Sequence, residues 1–150
     1  MLDKKDIKLL ELLQADGRMT AKDAAEQVDM SIPDTAERIK KLVETGHIHD
    51  FRAVVDPKKV GYDVTSFILV VMASSDYYEE FVSHAEESDE ILECHSITGE
   101  GSHILKVRLR DTSELEGLLR KVQSWEGIVR THTMVVMTTF KEKTQLVVEE

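Results

Sequence analysis

The chain holds a single cysteine, Cys94, so no intrachain disulfide can form, and its strand-like surroundings predict a small packed thiol. No apolar run reaches the ~18 residues needed to span a bilayer. Acidic and basic residues occupy the N-terminus where a signal peptide would carry an apolar segment. A cytoplasmic protein without a membrane partner is therefore expected. Positive charge is also scarce: 19 Lys/Arg stand against 29 Asp/Glu, and the formal net charge of −10 argues against indiscriminate nucleic-acid binding, which needs a basic footprint. His84, His95, His103 and His132 have no Cys or His partner at the intervals of a zinc site. There is no glycine-flanked serine or paired-carboxylate motif of catalytic spacing, and Gly99-Glu100-Gly101 lacks the third glycine of a dinucleotide loop. The expectation is a non-enzyme with no catalytic residues, no metal and no cofactor.

What is present begins with two short amphipathic helices, each opened by a capping signal. Thr20 and Asp23 precede a stripe of Ala21, Ala24, Ala25 and Val28; Ser31 and Asp34 precede Ile32, Ala36, Ile39 and Val43, reinforced by Leu42. An earlier helix is expected over about 3–14, with Ile7, Leu10 and Leu13 on one side, ended by Asp16-Gly17. This is a helix-turn-helix pattern. On this reading Arg38, Lys40 and Lys41 point away from the core, and the start of the last helix is shaped to enter a DNA major groove. Residues 1–50 carry 8 Lys/Arg and 11 Asp/Glu, so most of the acidity lies outside the candidate reader. Screening beyond about 8 to 10 Å lets local cations meet phosphates in spite of the total. Binding weak per monomer then predicts a dimer, which doubles the contacts and fixes half-site spacing.

Gly46 ends the third helix, His47 to Val55 reads as an extended segment suited to a wing or a connection, and Asp56-Pro57 marks a turn. Beyond Gly61 the periodicity changes. Thr65 to Ala73 is an almost unbroken apolar strand, Tyr78 to Ala85 a helix, Ile91 to Thr98 and His103 to Arg110 strands around Gly99-Glu100-Gly101-Ser102. Leu115, Leu118, Leu119, Val122 and Trp125 mark another helix, and Ile128 to Thr139 a last strand. The order β-α-β-β-α-β predicts a ferredoxin-like domain with two helices on one side of an antiparallel sheet. The fold class is thus α+β: a winged helix-turn-helix domain at 1–50, a connection at 51–62 and a ferredoxin-like domain at 63–150. A first strand apolar on both faces needs a cover for the second face. A homodimer through two copies of the sheet supplies it; the rival cover is residues 47–60 or the tail Gln145 to Val148 of the same chain.

The chain resembles the leucine-responsive regulator and asparagine-operon activator (Lrp/AsnC, feast/famine) family of transcription regulators. The resemblance runs nearly end to end, through Leu2-Asp3 to Leu13, Glu37-Arg38-Ile39-Lys40-Lys41-Leu42 with Gly46 and Ile48, Glu93-Cys94-His95 with Gly99, and Thr131, Thr133 and Val135-Val136-Met137. It implies a DNA-reading helix at 31–44, with Ser31, Asp34, Thr35, Arg38 and Lys41 nearest the duplex and Lys40 beside them. It also implies a ligand-sensing domain, sheet-to-sheet dimers that assemble into octamers or related forms, and a small-molecule effector, usually an amino acid. Asp34 and Glu37 are expected to pair with Arg38 and Lys41 one turn later; Asp34 is either a helix-capping acid or an acceptor for cytosine. The family's effector turn has a glycine followed three places later by an aspartate; here Gly99 is followed by Ser102. Glu100 and Ser102 can accept from an ammonium, N–H groups of Gly99 and Gly101 can meet a carboxylate, and Thr131 and Thr133 join them by resemblance. Read from spacing alone, the same turn is an ordinary hairpin. The alternative function is an effector-independent architectural or protein-interaction module.

Overall fold

A computed structural model of the chain describes residues 2–149. It separates into two compact units, one formed by residues 2–54 with 141–149 and the other by 55–140.

In the first unit α1 spans Lys4–Ala15, α2 Ala21–Val28 and α3 Ile32–Glu44. Each begins where a short polar side chain meets the free N–H groups of the first turn. Asp3 accepts from the Lys5 and Asp6 amides at 2.9 Å each, Thr20 from Asp23 at 3.1 Å and Ser31 from Asp34 at 3.2 Å. Between α2 and α3 the chain turns through Asp29, whose left-handed backbone (φ 50°) is tolerated because its side chain is short and polar. Lys5 Nζ donates to the Asp29 carbonyl at 2.9 Å and so ties α1 to that turn. The core comprises Leu9, Leu10, Ala24, Val28 and Leu42, flanked by Ile39, Ile48 and Val148.

Three sequence expectations change here. The buried stripe of α3 is not Ile32, Ala36, Val43: Thr35 and Leu42 are its buried residues, while Ile32, Ala36 and Val43 are exposed. Thr35 can face inward because its hydroxyl donates to the Ser31 carbonyl at 2.9 Å, so no buried polar group is left unmet. The segment after α3 forms no strand from residue 45 to 63, so the described residues hold no wing hairpin. Finally the tail belongs with the first unit and not with the domain 63–150 that was expected to contain it. Gln14 Nε2 donates to the Leu146 carbonyl at 3.1 Å, and the Leu146 amide donates back to Gln14 Oε1 at 2.7 Å.

In the second unit a 3-10 turn at Lys58–Val60 leads into β1, Val64–Met72. Then come α4 (Tyr78–Glu86), β2 (Ile91–Ser96), β3 (His103–Leu109), α5 (Thr112–Gln123) and β4 (Ile128–Val135). The sheet is antiparallel in the order β2-β3-β1-β4, the ferredoxin-like arrangement. Both helices pack on one face, where Ile68, Val70, Leu105, Val107 and Leu109 meet Phe81, Ala85, Leu115, Leu118 and Val122. The alternate residues of β1, Phe67, Leu69 and Val71, point to the other face. They pair there with Lys106 and Ile104 of β3 and with Met134, His132 and Arg130 of β4. Ladder pairing of β4 stops at Val135, four residues short of the expected end, although the Val136 amide still reaches the Thr65 carbonyl at 2.9 Å.

Candidate functional site

On α3 the six candidate residues divide into three groups. Arg38 is turned toward α1, where one guanidinium nitrogen donates to Asp3 Oδ2 at 2.6 Å and Asp6 Oδ1 at 2.8 Å. These hydrogen bonds, first to Asp3 and then to Asp6, hold the guanidinium above its ordinary pKa. Asp3 in turn lies below the ordinary carboxylate value, first because the Asp6 amide donates to it and then because Arg38 does. The expected pairing of Asp34 with Arg38 is therefore replaced by a tie between helices. Arg38 braces α3 and is not a free cation. Thr35, expected among the residues nearest the duplex, is fully buried.

Ser31 and Asp34 form the helix start, the Ser31 hydroxyl donating to the Asp34 carboxylate while accepting its amide. Asp34 is thereby a capping acid that still faces solvent. Lys40 and Lys41 are exposed. Lys40 lies 3.6 Å from Glu44 on the same helix, a pairing that solvent weakens, and Lys41 makes no ion pair among the described residues. What the sequence reading missed is the outward row of Ile32, Ala36 and Val43, because apolar spacing alone does not say which of two adjacent stripes is buried. It also missed Asp3 and Asp6, whose three-residue spacing at the start of α1 was the available signal.

On the second unit the Gly99–Ser102 turn joins β2 to β3. Gly99 and Glu100 are exposed at its tip. Gly101 is buried, and a Cβ there would stand 2.6 Å from Leu69 Cδ1 and 3.0 Å from the Val70 carbonyl oxygen. The Ser102 amide donates to that carbonyl at 2.9 Å and the Ser102 hydroxyl lies 3.0 Å from His103 Nδ1. Thr131 pairs with Val70 from the other side, so Gly101, Ser102 and Thr131 converge on one row of the sheet. Thr131 accepts from Gln123 of α5 at 2.9 Å, and Thr133 sits one pair further along, opposite Ile68. Both threonines lie on the helix-covered side. His103 is buried against the rings of Tyr78 (4.7 Å) and Phe81 (4.9 Å), and burial holds its pKa down. The other histidines disperse: His84 stacks on Trp125 and His95 bonds Glu93. Cys94 is half-buried, and burial, then Glu86, raises its thiol pKa, so little thiolate forms.

A helix-turn-helix unit and a ferredoxin-like unit in one chain match two family models in sequence. The AsnC-type helix-turn-helix domain covers residues 2–43, and the Lrp/AsnC ligand binding domain covers residues 65–146. The chain belongs to the Lrp/AsnC family. Its relatives include the HTH-type transcriptional regulator FL11 of Pyrococcus furiosus, 36% identical over 99% of this chain and 98% of its own. Another is the proline dehydrogenase transcriptional activator of Rhizobium radiobacter, 37% identical over 94% of this chain and 92% of its own. Among solved structures, a transcriptional regulator of Neisseria meningitidis in complex with L-Met superposes with a TM-score of 0.92. It is 29% identical, covering 97% of this chain and 96% of the other. The chain is thus a DNA-binding transcription regulator of the Lrp/AsnC type with a ligand binding domain, in a family of transcriptional regulators. No helix of the described residues is long and apolar enough to cross a membrane.

Proposed function

We propose that the protein is a cytoplasmic, non-enzymatic regulator that binds a near-palindromic operator as a homodimer and reports the level of an amino acid or related metabolite. The observation that carries the reading is the exposed outer face of α3, held against α1 by Arg38, in the same chain as a ligand-binding domain. Lys40 and Lys41 meet phosphates while the start of the helix lies in the groove. Ser31 and Asp34 stand at that start; Asp34 serves the cap first, which leaves one carboxylate oxygen for a cytosine amino group. Dimers form through the sheet face that carries Phe67, Leu69 and Val71, each patch meeting its equivalent across a two-fold axis, and they associate further into octamers or related assemblies.

The effector is held by the turn at Gly99, Glu100, Gly101 and Ser102 with Thr131 and Thr133 of β4. The L-Met bound to the Neisseria meningitidis relative supports an amino acid as its class. With Ser102 where the family has an aspartate, the ammonium group falls to Glu100 and to neutral oxygens, which predicts weaker binding than a buried carboxylate gives.

A salt titration tests the DNA reading. Operator affinity should fall as salt rises, with a slope set by the few phosphates contacted; no retention of DNA at any salt would leave only the protein-interaction alternative. Thermal shifts with single amino acids test the effector reading. A shift that survives disruption of the Ser102 turn would move the pocket elsewhere.

A further inference from the structure

We propose that α3 selects thymines, with Ile32 and Ala36 in contact with their methyl groups and Glu37 beside them accepting from an exocyclic amino group. This rests on α3 being the helix that enters the groove. The starting observation is that an amphipathic helix carries apolar residues on the wrong side. Thr35 and Leu42 fill its buried face, and Ile39 completes it. Ile32, Ala36 and Val43 are left over; Ile32 is 48% exposed and Val43 42%.

Residues 32, 36, 40 and 43 form one row along a helix, so the row reads apolar, apolar, Lys40, apolar, with Glu37 at its border. In the major groove the thymine methyl is the apolar group that a base edge presents, and the first turns of a reading helix are the part that reaches base edges. Ile32 and Ala36 occupy those turns. Four residues rise about 6 Å, close to two base-pair steps of 3.4 Å, so the pair fits two thymines near one another in a half-site. The row is charge-complementary to the same target. Its apolar end faces the bases, and Lys40 with neighbouring Lys41 stands at the end from which the helix leaves toward the phosphates. Glu37, exposed and in no ion pair among the described residues, supplies an acceptor that suits the amino group of cytosine.

The test takes the operator that the full chain enriches from random DNA and replaces each thymine in turn by deoxyuridine, which keeps the base pair and removes the methyl alone. Affinity should fall about four-fold at one or two positions per half-site, the value of one buried methyl-sized group. Ile32→Ala and Ala36→Ser should each erase the difference at one of those positions, with helix content unchanged by circular dichroism. Equal affinity for thymine and deoxyuridine operators at every position overturns the proposal. So does sensitivity that persists unchanged in both variants. A chain that enriches a sequence but ignores the methyls overturns this proposal alone; one that enriches no sequence overturns the α3 reading with it.

Discussion

Replacing Arg38 by alanine should act on DNA binding through stability and not through a lost contact. Its guanidinium makes two short charge-assisted bonds from one nitrogen, and its side chain is one-third exposed while that of Asp6 is 18% exposed. A fully exposed pair contributes up to about 1 kcal/mol, whereas a shielded hydrogen bond to a charge contributes about 1.5–3 kcal/mol. Partial exposure places Arg38→Ala between these, at a loss of about 1–2 kcal/mol, or a fall in Tm of several degrees for a unit of this size. Urea unfolding followed by circular dichroism measures it, and a cycle with Asp6→Ala isolates the coupling. The Asp6 amide first and Arg38 second lower the Asp3 pKa, so the part of the tie that Arg38 supplies is fully present above the ordinary carboxylate value of 3.8 and is lost as pH falls through the lowered one. The gap between wild type and variant should therefore narrow in acid. Wild-type stability in Arg38→Ala together with weakened operator binding would refute the reasoning and make Arg38 a direct contact.

Lys41→Ala should leave unfolding unchanged, weaken operator binding and reduce the slope of affinity against salt by about one unit, since one phosphate contact is removed. An unchanged slope would place Lys41 away from the duplex. His103 is kept neutral by burial, so the unfolded chain binds a proton as pH drops through 6.5 while the folded chain does not; stability should decline there on acidification, and His103→Gln should flatten that part of the curve. Gly101→Ala should cost about 1–3 kcal/mol from the contact with Leu69 and the Val70 carbonyl, read in the melting temperature of the ligand-binding domain. Gly127→Ala should be worse, since a positive φ of 81° is combined there with a Cβ position 2.2 Å from the Tyr77 ring.

Element type and order were readable because three local signals agreed: caps at Thr20 and Ser31, helical stripes such as Leu115-Leu118-Val122, and the strict alternation of His103 to Leu109. The rotation of α3 was not readable. Ile32, Ala36 and Val43 mark a stripe as clearly as Thr35 and Leu42 do, and tertiary packing makes the choice: Leu42 and Ile39 enter the core while Arg38 meets Asp3 and Asp6 at the start of α1. The same limit hid the end of β4, because Val136 and Met137 carry strand-like side chains but find no ladder partner in β1 beyond Ser66. Of the effector turn, the loop and its glycines were visible. That Thr131 and Thr133 face the helix side depends on register with β1, which local sequence does not state.

Selection of bound sequences from random double-stranded DNA by the full chain, with and without a mixture of amino acids, tests DNA reading and sensing together. A short near-palindromic motif should emerge, with its occupancy altered by the mixture. A selected pool indistinguishable from the starting one under both conditions would contradict the DNA reading.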